Sequence, residues 1–147
     1  MEINEAKTIV YTAQSKHLFY ARMLICRFVL ERGAVPLNPF NLWGYFLYEL
    51  VDHDLVRRGN NNVVRIVDEV WVFGPVADGV LAEIDLAIGL NKPLRFFSAG
   101  SRYEDMRPIG VADVEFEETV SSKSNLKAIR DWIALHQRRR RVIMARR

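Results

Sequence analysis

The sequence predicts an α/β fold, an open and mostly parallel β-sheet with helices on both faces. Short runs rich in Val, Ile and aromatic residues alternate along the chain with longer segments whose apolar residues recur at helical spacing. The run at 63–74 is rich in Val and Ile, which suits a strand buried on both faces. With 147 residues, 50% of them hydrophobic and 27% charged, the chain has the length and composition of one soluble domain with a single core.

The elements follow in order along the chain. Strands or extended pieces are predicted at 7–13, 34–40, 63–74, 92–98 and 111–119. Helices are predicted at 14–33, 41–59, 78–91 and 124–141. Gly33 and Gly59 serve as helix stops in this interpretation, and Gly44 is a weak point. Since ligands bind at the carboxyl ends of strands in such sheets, the loops after the strands are the first places to look for a site.

Positive charge is concentrated at the end of the chain. Residues 123–147 contain nine Lys or Arg and one acid, a net charge of +8, so the rest of the chain carries −5. We therefore predict one domain over 1–137 and a basic tail at 138–147. Such a tail attracts phosphates, nucleic acid or an acidic protein surface. No aromatic residue interleaves with the arginines to stack bases, so a solvated helix end is the simpler interpretation.

The sequence also predicts where the protein is found and which chemistries it does not use. No apolar run approaches the roughly 18 residues of a membrane span, and the first residues lack a signal-peptide pattern, so we expect a cytoplasmic protein. Cys26 is the only cysteine and lies in an apolar segment, where core packing is a simpler role than a reactive thiol. The three histidines are scattered, and glycine-rich nucleotide-binding patterns are absent. We therefore expect no metal and no cofactor.

Glu83 is a charged residue on the apolar face of the predicted helix at 78–91. At about 100° per residue, Glu83 falls among apolar residues whereas Asp85 falls on the opposite, solvent side. A buried carboxylate needs a partner or a cavity. Glu83 is then either a helix-start acid or an ionised nucleophile or base at the mouth of the crevice. Asp78 is expected to cap the helix, and Gly79 lets a ligand approach its first amides.

The residues around Glu83 form a pattern that resembles a known family. Asp68 opens an apolar strand, "DGVLAEIDLA" carries Glu83, and "NKP" precedes the next strand. This arrangement resembles the nucleoside 2-deoxyribosyltransferases and the related deoxynucleoside 5'-monophosphate N-glycosidases. The opening strand, with Tyr11 followed by small residues, is similar too. The resemblance covers about residues 7–98, and its most specific part is 68–93.

The resemblance implies a flavodoxin-like fold and a catalytic role for three residues. Glu83 matches the glutamate that attacks C1' of the sugar, expels the base and forms a glycosyl-enzyme. Asp68 matches an aspartate that positions the substrate or supplies a proton, and Tyr11 matches a tyrosine that holds the glutamate or the sugar. One departure is that Asp78 stands five residues before Glu83 and abuts Gly79, whereas Ala77 occupies the position six before.

The remaining site residues are expected to bind the substrate. Ser15 and Lys16 follow the first strand, where together with backbone amides they would hold a 5'-phosphate, and Asp78 and Gly79 lie in the second loop. Phe40 and Trp43 could stack on a base, although core packing or a dimer face is the simpler role for the aromatic helix at 42–50. The family commonly forms dimers or larger assemblies, so the resemblance implies a homo-oligomer.

The expected activity is cleavage or transfer of the N-glycosidic bond of a (deoxy)nucleoside or nucleoside 5'-monophosphate, as a hydrolase or a transferase. This is the chemistry of a retaining glycosidase, in which an ionised carboxylate stabilises an oxocarbenium-like transition state and then forms a covalent bond to the sugar. Two alternatives stay open at this stage. One is a non-catalytic nucleotide-binding module that docks on nucleic acid or protein through its basic tail. The other is cleavage of a different nucleotide-derived ribosyl bond.

Overall fold

The computed structural model describes residues 5–44, 47–120 and 125–145. The strands are β1 (Ile9–Gln14), β2 (Val35–Leu37), β3 (Glu69–Phe73), β4 (Leu94–Phe97) and β5 (Pro108–Ile109). The α-helices are α1 (Arg22–Glu31), α2 (Pro39–Trp43), α3 (Leu47–Leu50), α4 (His53–Ile66), α5 (Asp78–Gly89) and α6 (Leu126–Ala145). Short 3₁₀ helices are found at Lys16–Ala21, Tyr103–Asp105 and Val111–Asp113.

The strands form one sheet in the order β2-β1-β3-β4-β5. The first four are parallel neighbours, and only the short β5 runs antiparallel to β4. This confirms the predicted open, mostly parallel sheet and its flavodoxin-like fold. The chain reverses its direction of travel across the sheet between β1 and β3, and a crevice at the carboxyl ends of these two strands is where such sheets bind ligands.

Alternate side chains of the central strands pack on opposite faces of the sheet. On one face, Val70 and Val72 of β3 join a core that includes residues of α4, α5 and α6. On the other face, Trp71 and Phe73 pack with Phe28 and its neighbours from α1. Burial on both sides explains why β3 is continuously apolar rather than alternating.

The segment predicted as one helix at 41–59 is broken into three helices, so that prediction is wrong. Gly44 ends α2 in a left-handed conformation, with φ of 70°. Gly59 is not a stop and lies inside α4. A Cβ at this position would come within 3.1 Å of the Trp43 ring, so the glycine leaves room for the ring to pack. Trp43 also donates from Nε1 to Asn60 Oδ1 at 2.7 Å. Helix α4 thus continues past Gly59 and Asn60, and both contact Trp43.

Two predicted strands also differ from the structure. The run at 63–74 is helical up to Ile66, and the strand begins only at Glu69, since Val64 of α4 is fully buried in the core. The last strand predicted at 111–119 is reduced to a 3₁₀ helix and one isolated parallel bridge between Phe116 and Val76. Apolar runs fit either a helix or a strand, and the tertiary contacts decide between them.

Lys92, in the "NKP" motif, holds three elements together. Its Nζ donates to the carbonyl oxygens of Arg65 and Val67, at 2.8 and 2.6 Å, at the end of α4. A cation here also complements the negative end of the helix dipole. The Lys92 carbonyl lies 2.8 Å from Nε2 of the buried His136 of α6. The motif thus has a clear structural role in this chain.

Four arginines of the predicted tail, at 138–141, are part of α6, which continues to Ala145. Arg146 and Arg147 lie outside the described residues. Arg140 donates to the carbonyl of Asn91 at 2.6 Å, whereas Arg138, Arg139 and Arg141 are exposed. Within the part of the chain that the structure describes, no helix is long and apolar enough to cross a bilayer.

Replacing Lys92 should destabilise the fold. We expect Lys92→Met to lower the free energy of unfolding by about 1–3 kcal/mol, because two carbonyls at the end of α4 lose a charged donor. Urea denaturation followed by circular dichroism measures this change. Lys127→Met, at an exposed position of α6, is the matched control and should stay within about 0.5 kcal/mol of wild type. Equal effects of the two substitutions would contradict the capping role.

Candidate active site

Glu83 lies in the second turn of α5, on the side that faces the sheet. Val80, Ile84 and Ala87 of the same helix are buried in the core, and the Glu83 side chain sits among them with its Oε2 atom fully buried. Asp85 is exposed, as the helical spacing predicts. Among the described residues, Oε2 has no hydrogen-bond partner. A carboxyl group has therefore been taken out of water without full compensation.

Tyr11 is the polar residue that meets this carboxyl group. It is fully buried in the first half of β1, and its ring is part of the same core as Val80, Ile84 and Ala87. Burial raises the pKa of Glu83 to about 8, and hydrogen bonding from the Tyr11 hydroxyl opposes part of this rise. Glu83 is therefore mostly protonated at pH 7. The fold has brought together two residues that are 72 positions apart in the sequence.

No hydrogen bond in the described structure joins Asp68 to Glu83. Asp68 immediately precedes β3, so the full length of that strand separates it from the loop that leads into α5. The Asp68 side chain is exposed, and its Oδ2 accepts a hydrogen bond from the backbone N–H of Ile9 at 2.8 Å. The Asp68 N–H in turn donates to the Ile9 carbonyl at 2.9 Å. In this structure Asp68 joins the starts of β1 and β3.

The carboxyl end of β1 carries a polar cluster whose centre is Glu117. Ser15 is buried and donates from Oγ to Glu117 Oε2 at 2.8 Å, and the same carboxylate oxygen lies 2.9 Å from His17 Nδ1. Lys16, between them in sequence, is exposed. The sequence did not predict a role for Glu117. The bridge between Phe116 and Val76 brings it to this loop, and no local sequence pattern indicates that pairing.

Asp78 and Gly79 begin α5 at the carboxyl end of β3. The residue in the N-cap position is Ala77, so the prediction that Asp78 caps the helix is wrong, and Asp78 lies instead in the first turn. Both residues are exposed, and a Cβ at Gly79 would meet no atom within 4 Å. The helix start is therefore open to a ligand, with an acidic side chain beside it.

The two aromatic residues proposed to stack on a base are engaged in packing. Phe40 is buried and makes an edge-to-face contact with Phe19, with ring centroids 5.3 Å apart. Trp43 packs over Gly59 and bonds to Asn60. The structure thus agrees with the simpler of the two sequence interpretations for these rings. Tyr45 and Phe46 of the same aromatic segment lie outside the described residues.

A buried polar network supports the ends of β1 and β2. Asn38 donates from Nδ2 to Thr12 Oγ1 at 2.9 Å and to Gln14 Oε1 at 2.7 Å, and its own Oδ1 accepts from the N–H of Phe40. Gln14 in turn donates to the carbonyl of Leu18 at 2.7 Å. Because buried polar groups are costly unless paired, this network fixes the loop in which Ser15 and His17 lie.

A groove of about 500 Å³ lies away from Glu83. Its lining includes Arg32, Trp71 and Arg95, and neither Glu83 nor Tyr11 contributes to it. In the described ranges, no group of three or more His, Cys, Asp or Glu residues is placed to hold a metal ion. The chemically distinctive features are therefore the buried Glu83 and the loops at the carboxyl ends of β1 and β3.

Comparison with known proteins does not identify a family for this chain. A scan against models of protein families finds no match, and a search of curated proteins finds none either. The resemblance to nucleoside 2-deoxyribosyltransferases therefore stays a prediction, and the geometry of the site has to support any function.

The buried carboxyl group should make stability depend on pH. Glu83 binds its proton more tightly in the folded protein, with a pKa of about 8, than in the unfolded chain, near 4.5. Its stabilising contribution is complete below about pH 4.5 and is lost as the pH rises through 8. We therefore expect Glu83→Gln to become more stable than wild type as the pH rises through this window, by about 1–4 kcal/mol.

Urea denaturation at several pH values between 5 and 9 measures this difference. Asp85→Asn is the matched control, because it removes an exposed carboxylate from the same helix and should leave the pH dependence of wild type unchanged. A difference between Glu83→Gln and wild type that does not vary with pH would show that Glu83 has an ordinary pKa.

Proposed function

We propose that this protein cleaves or transfers the N-glycosidic bond of a nucleoside or nucleotide, with Glu83 as the nucleophile. The observation that carries the proposal is the pair formed between α5 and β1 by Glu83, whose Oε2 atom is buried, and the fully buried Tyr11. The Glu83 carboxyl group lies in an apolar helix face, and one of its oxygens lacks a partner among the described residues. Such a group lowers the stability of the fold, and no structural role for it is evident. Groups of this kind cluster at catalytic sites.

The position of the pair within the sheet supports the same proposal. Tyr11 belongs to β1 and Glu83 belongs to the helix that follows β3, and these are the two strands between which the strand order reverses. Ligands of open α/β sheets bind outside the carboxyl ends of such strands. A sugar bound there would have Glu83 on one side and the loop containing Ser15 and His17 on the other.

In the proposed reaction, an ionised oxygen of Glu83 attacks C1' of the sugar while the bond from C1' to the base nitrogen breaks. The bonding electrons leave with the base, which takes up a proton, and a glycosyl-enzyme remains. Water or a second base then attacks C1' and releases Glu83. Positive charge develops on the sugar in both transition states, and a nearby carboxylate stabilises it.

Tyr11 has a positioning role in this scheme. Its hydroxyl donates to the Glu83 carboxyl group and lowers its pKa, so it favours the ionised form that attacks the sugar. The scheme assigns no step to Asp68, whose side chain is occupied with Ile9 at the other end of β3. A sugar with developing positive charge favours the ionised carboxylate further, because an opposite charge nearby lowers the pKa of an acid.

A non-catalytic nucleotide-binding module is the second candidate function. The observation that favours it is the raised pKa of Glu83, about 8, which leaves the carboxyl protonated at pH 7. A neutral carboxyl group donates a hydrogen bond to a bound ligand instead of attacking it. Base release separates the two candidates, because the module binds nucleotides without releasing base.

Partners and location remain predictions from the sequence. Three exposed apolar residues are compatible with the proposed homodimer: Tyr20 of the first 3₁₀ helix, and Met23 and Leu30 of α1. The exposed arginines at the end of α6 are compatible with an acidic partner, including nucleic acid. The cytoplasmic location likewise stays a prediction.

The activity can be tested directly. Incubation with a panel of deoxynucleosides, ribonucleosides and their 5'-monophosphates should release free base, which chromatography detects. Glu83→Gln should reduce kcat by about 10³-fold or more, because the nucleophile is gone. Tyr11→Phe should reduce kcat/KM by about 10–100-fold, the loss expected for one hydrogen bond to a charged group.

Asp85→Asn is the control for the charge change and should keep full activity. Full activity of Glu83→Gln would rule out the nucleophile role even if base is released by wild type. Binding of a nucleotide by calorimetry, with no base released from any compound of the panel, would favour the binding module over the enzyme.

The rate should also depend on pH in a specific direction. Because Glu83 must be ionised to attack, kcat/KM should rise with pH and level off above about 8, the pKa of Glu83. Removing the hydroxyl that lowers this pKa should move the midpoint upward in Tyr11→Phe. A profile that is flat between pH 6 and 9, in both proteins, contradicts the proposed ionisation.

A further inference from the structure

Glu117 bridges the loops at the carboxyl ends of β1 and β3. Its backbone N–H donates to the carbonyl of Val76 at 2.9 Å, and the preceding Phe116 forms the bridge to the same residue. Its side chain is only 15% exposed and points to Ser15, which follows β1. The carboxylate is therefore held in place across the crevice where the strand order reverses.

The polar groups that would bind an anion at the end of β1 are already occupied. Ser15 Oγ donates to Glu117 Oε2 at 2.8 Å and accepts from the N–H of His17 at 3.2 Å. Ser15 itself is only 3% exposed. The sequence-based prediction that Ser15 helps to hold a 5'-phosphate therefore meets an obstacle, because a carboxylate stands where the phosphate would accept that hydrogen bond.

We infer that Glu117 makes this site select a nucleoside with a free 5'-hydroxyl over the corresponding 5'-monophosphate. The inference rests on the proposed function and names its substrate class. A neutral hydroxyl can donate to the carboxylate, and such charge-assisted hydrogen bonds are strong. A doubly ionised phosphate can only accept hydrogen bonds there, and it would be repelled by the like charge.

The nearby cations do not balance this repulsion. His17 is the one basic side chain that contacts Glu117 among the described residues, and it is 66% exposed. A phosphate monoester carries a charge of about −1.5 to −2 at pH 7, so even a protonated His17 leaves the phosphate and the carboxylate with excess negative charge. Lys16 is exposed and forms no described contact with Glu117.

The spacing along α5 sets the distance that a substrate would have to bridge. Glu117 contacts Val76, just before α5 begins, whereas Glu83 lies five residues into that helix, a rise of about 7.5 Å along its axis. A furanose attacked at C1' extends its 5' carbon away from the nucleophile. In this assignment, the 5'-hydroxyl is the group of the substrate that extends toward the Glu117 loop.

The experiment compares kcat/KM for each deoxynucleoside of the panel with that for its 5'-monophosphate. Wild type should prefer the nucleoside by at least about tenfold. Glu117→Gln keeps the size and the acceptor oxygen of the side chain but removes its charge, and should reduce this preference by about tenfold or more, mainly through KM for the monophosphate. Glu118→Gln makes the same charge change at an exposed neighbour and should leave the preference within about twofold.

The outcomes separate this inference from the proposed function. Base release with equal or better use of monophosphates by wild type overturns the inference and leaves the function standing, and this result does not depend on the folding of any variant. An unchanged preference in a folded Glu117→Gln, or the same loss in Glu118→Gln, also overturns it. Absence of base release from every compound defeats the proposed function itself. In that case, calorimetry with Glu83→Ala decides the inference, which fails if a monophosphate binds as tightly as its nucleoside.

Discussion

The contact between Glu83 and Tyr11 is the interaction on which the proposed chemistry depends. Helix α5 has to bury Val80, Ile84 and Ala87 against the sheet, and Glu83 lies within the arc that they define. Its carboxyl group is therefore carried into the protein with the apolar face of the helix. A single hydroxyl from β1 compensates in part, and the pKa of about 8 measures how incomplete that compensation is.

This incomplete compensation is what distinguishes a reactive group from a structural one. Lys92 is also drawn toward the interior, but its ammonium group is satisfied by two carbonyls at the end of α4. Asp68 is satisfied by the N–H of Ile9. Glu83 keeps one oxygen without a partner in the described structure, so it is the member of the family-like pattern that a substrate could still engage.

The crevice between β1 and β3 combines this buried acid with a second, fixed carboxylate. The network of Asn38, Thr12 and Gln14 makes the end of β1 rigid, and the bridge at Val76 places Glu117 over it. The two acids have different surroundings. Glu83, removed from water, is suited to act on a developing cation, whereas Glu117, bound to Ser15 and His17, is suited to accept a hydrogen bond from a hydroxyl group.

The sequence by itself determined the fold class, the runs that form β1, β2 and β4, and the position of Glu83 among apolar residues, because periodicity and β-branched composition are local properties of a chain. It did not determine where α4 ends, since the helix continues past Gly59 and Asn60, which contact Trp43. Nor did it show that Asp68 lies at the far end of β3, or that Glu117 closes on Ser15. Those facts depend on contacts between residues distant in sequence, which only the tertiary structure decides.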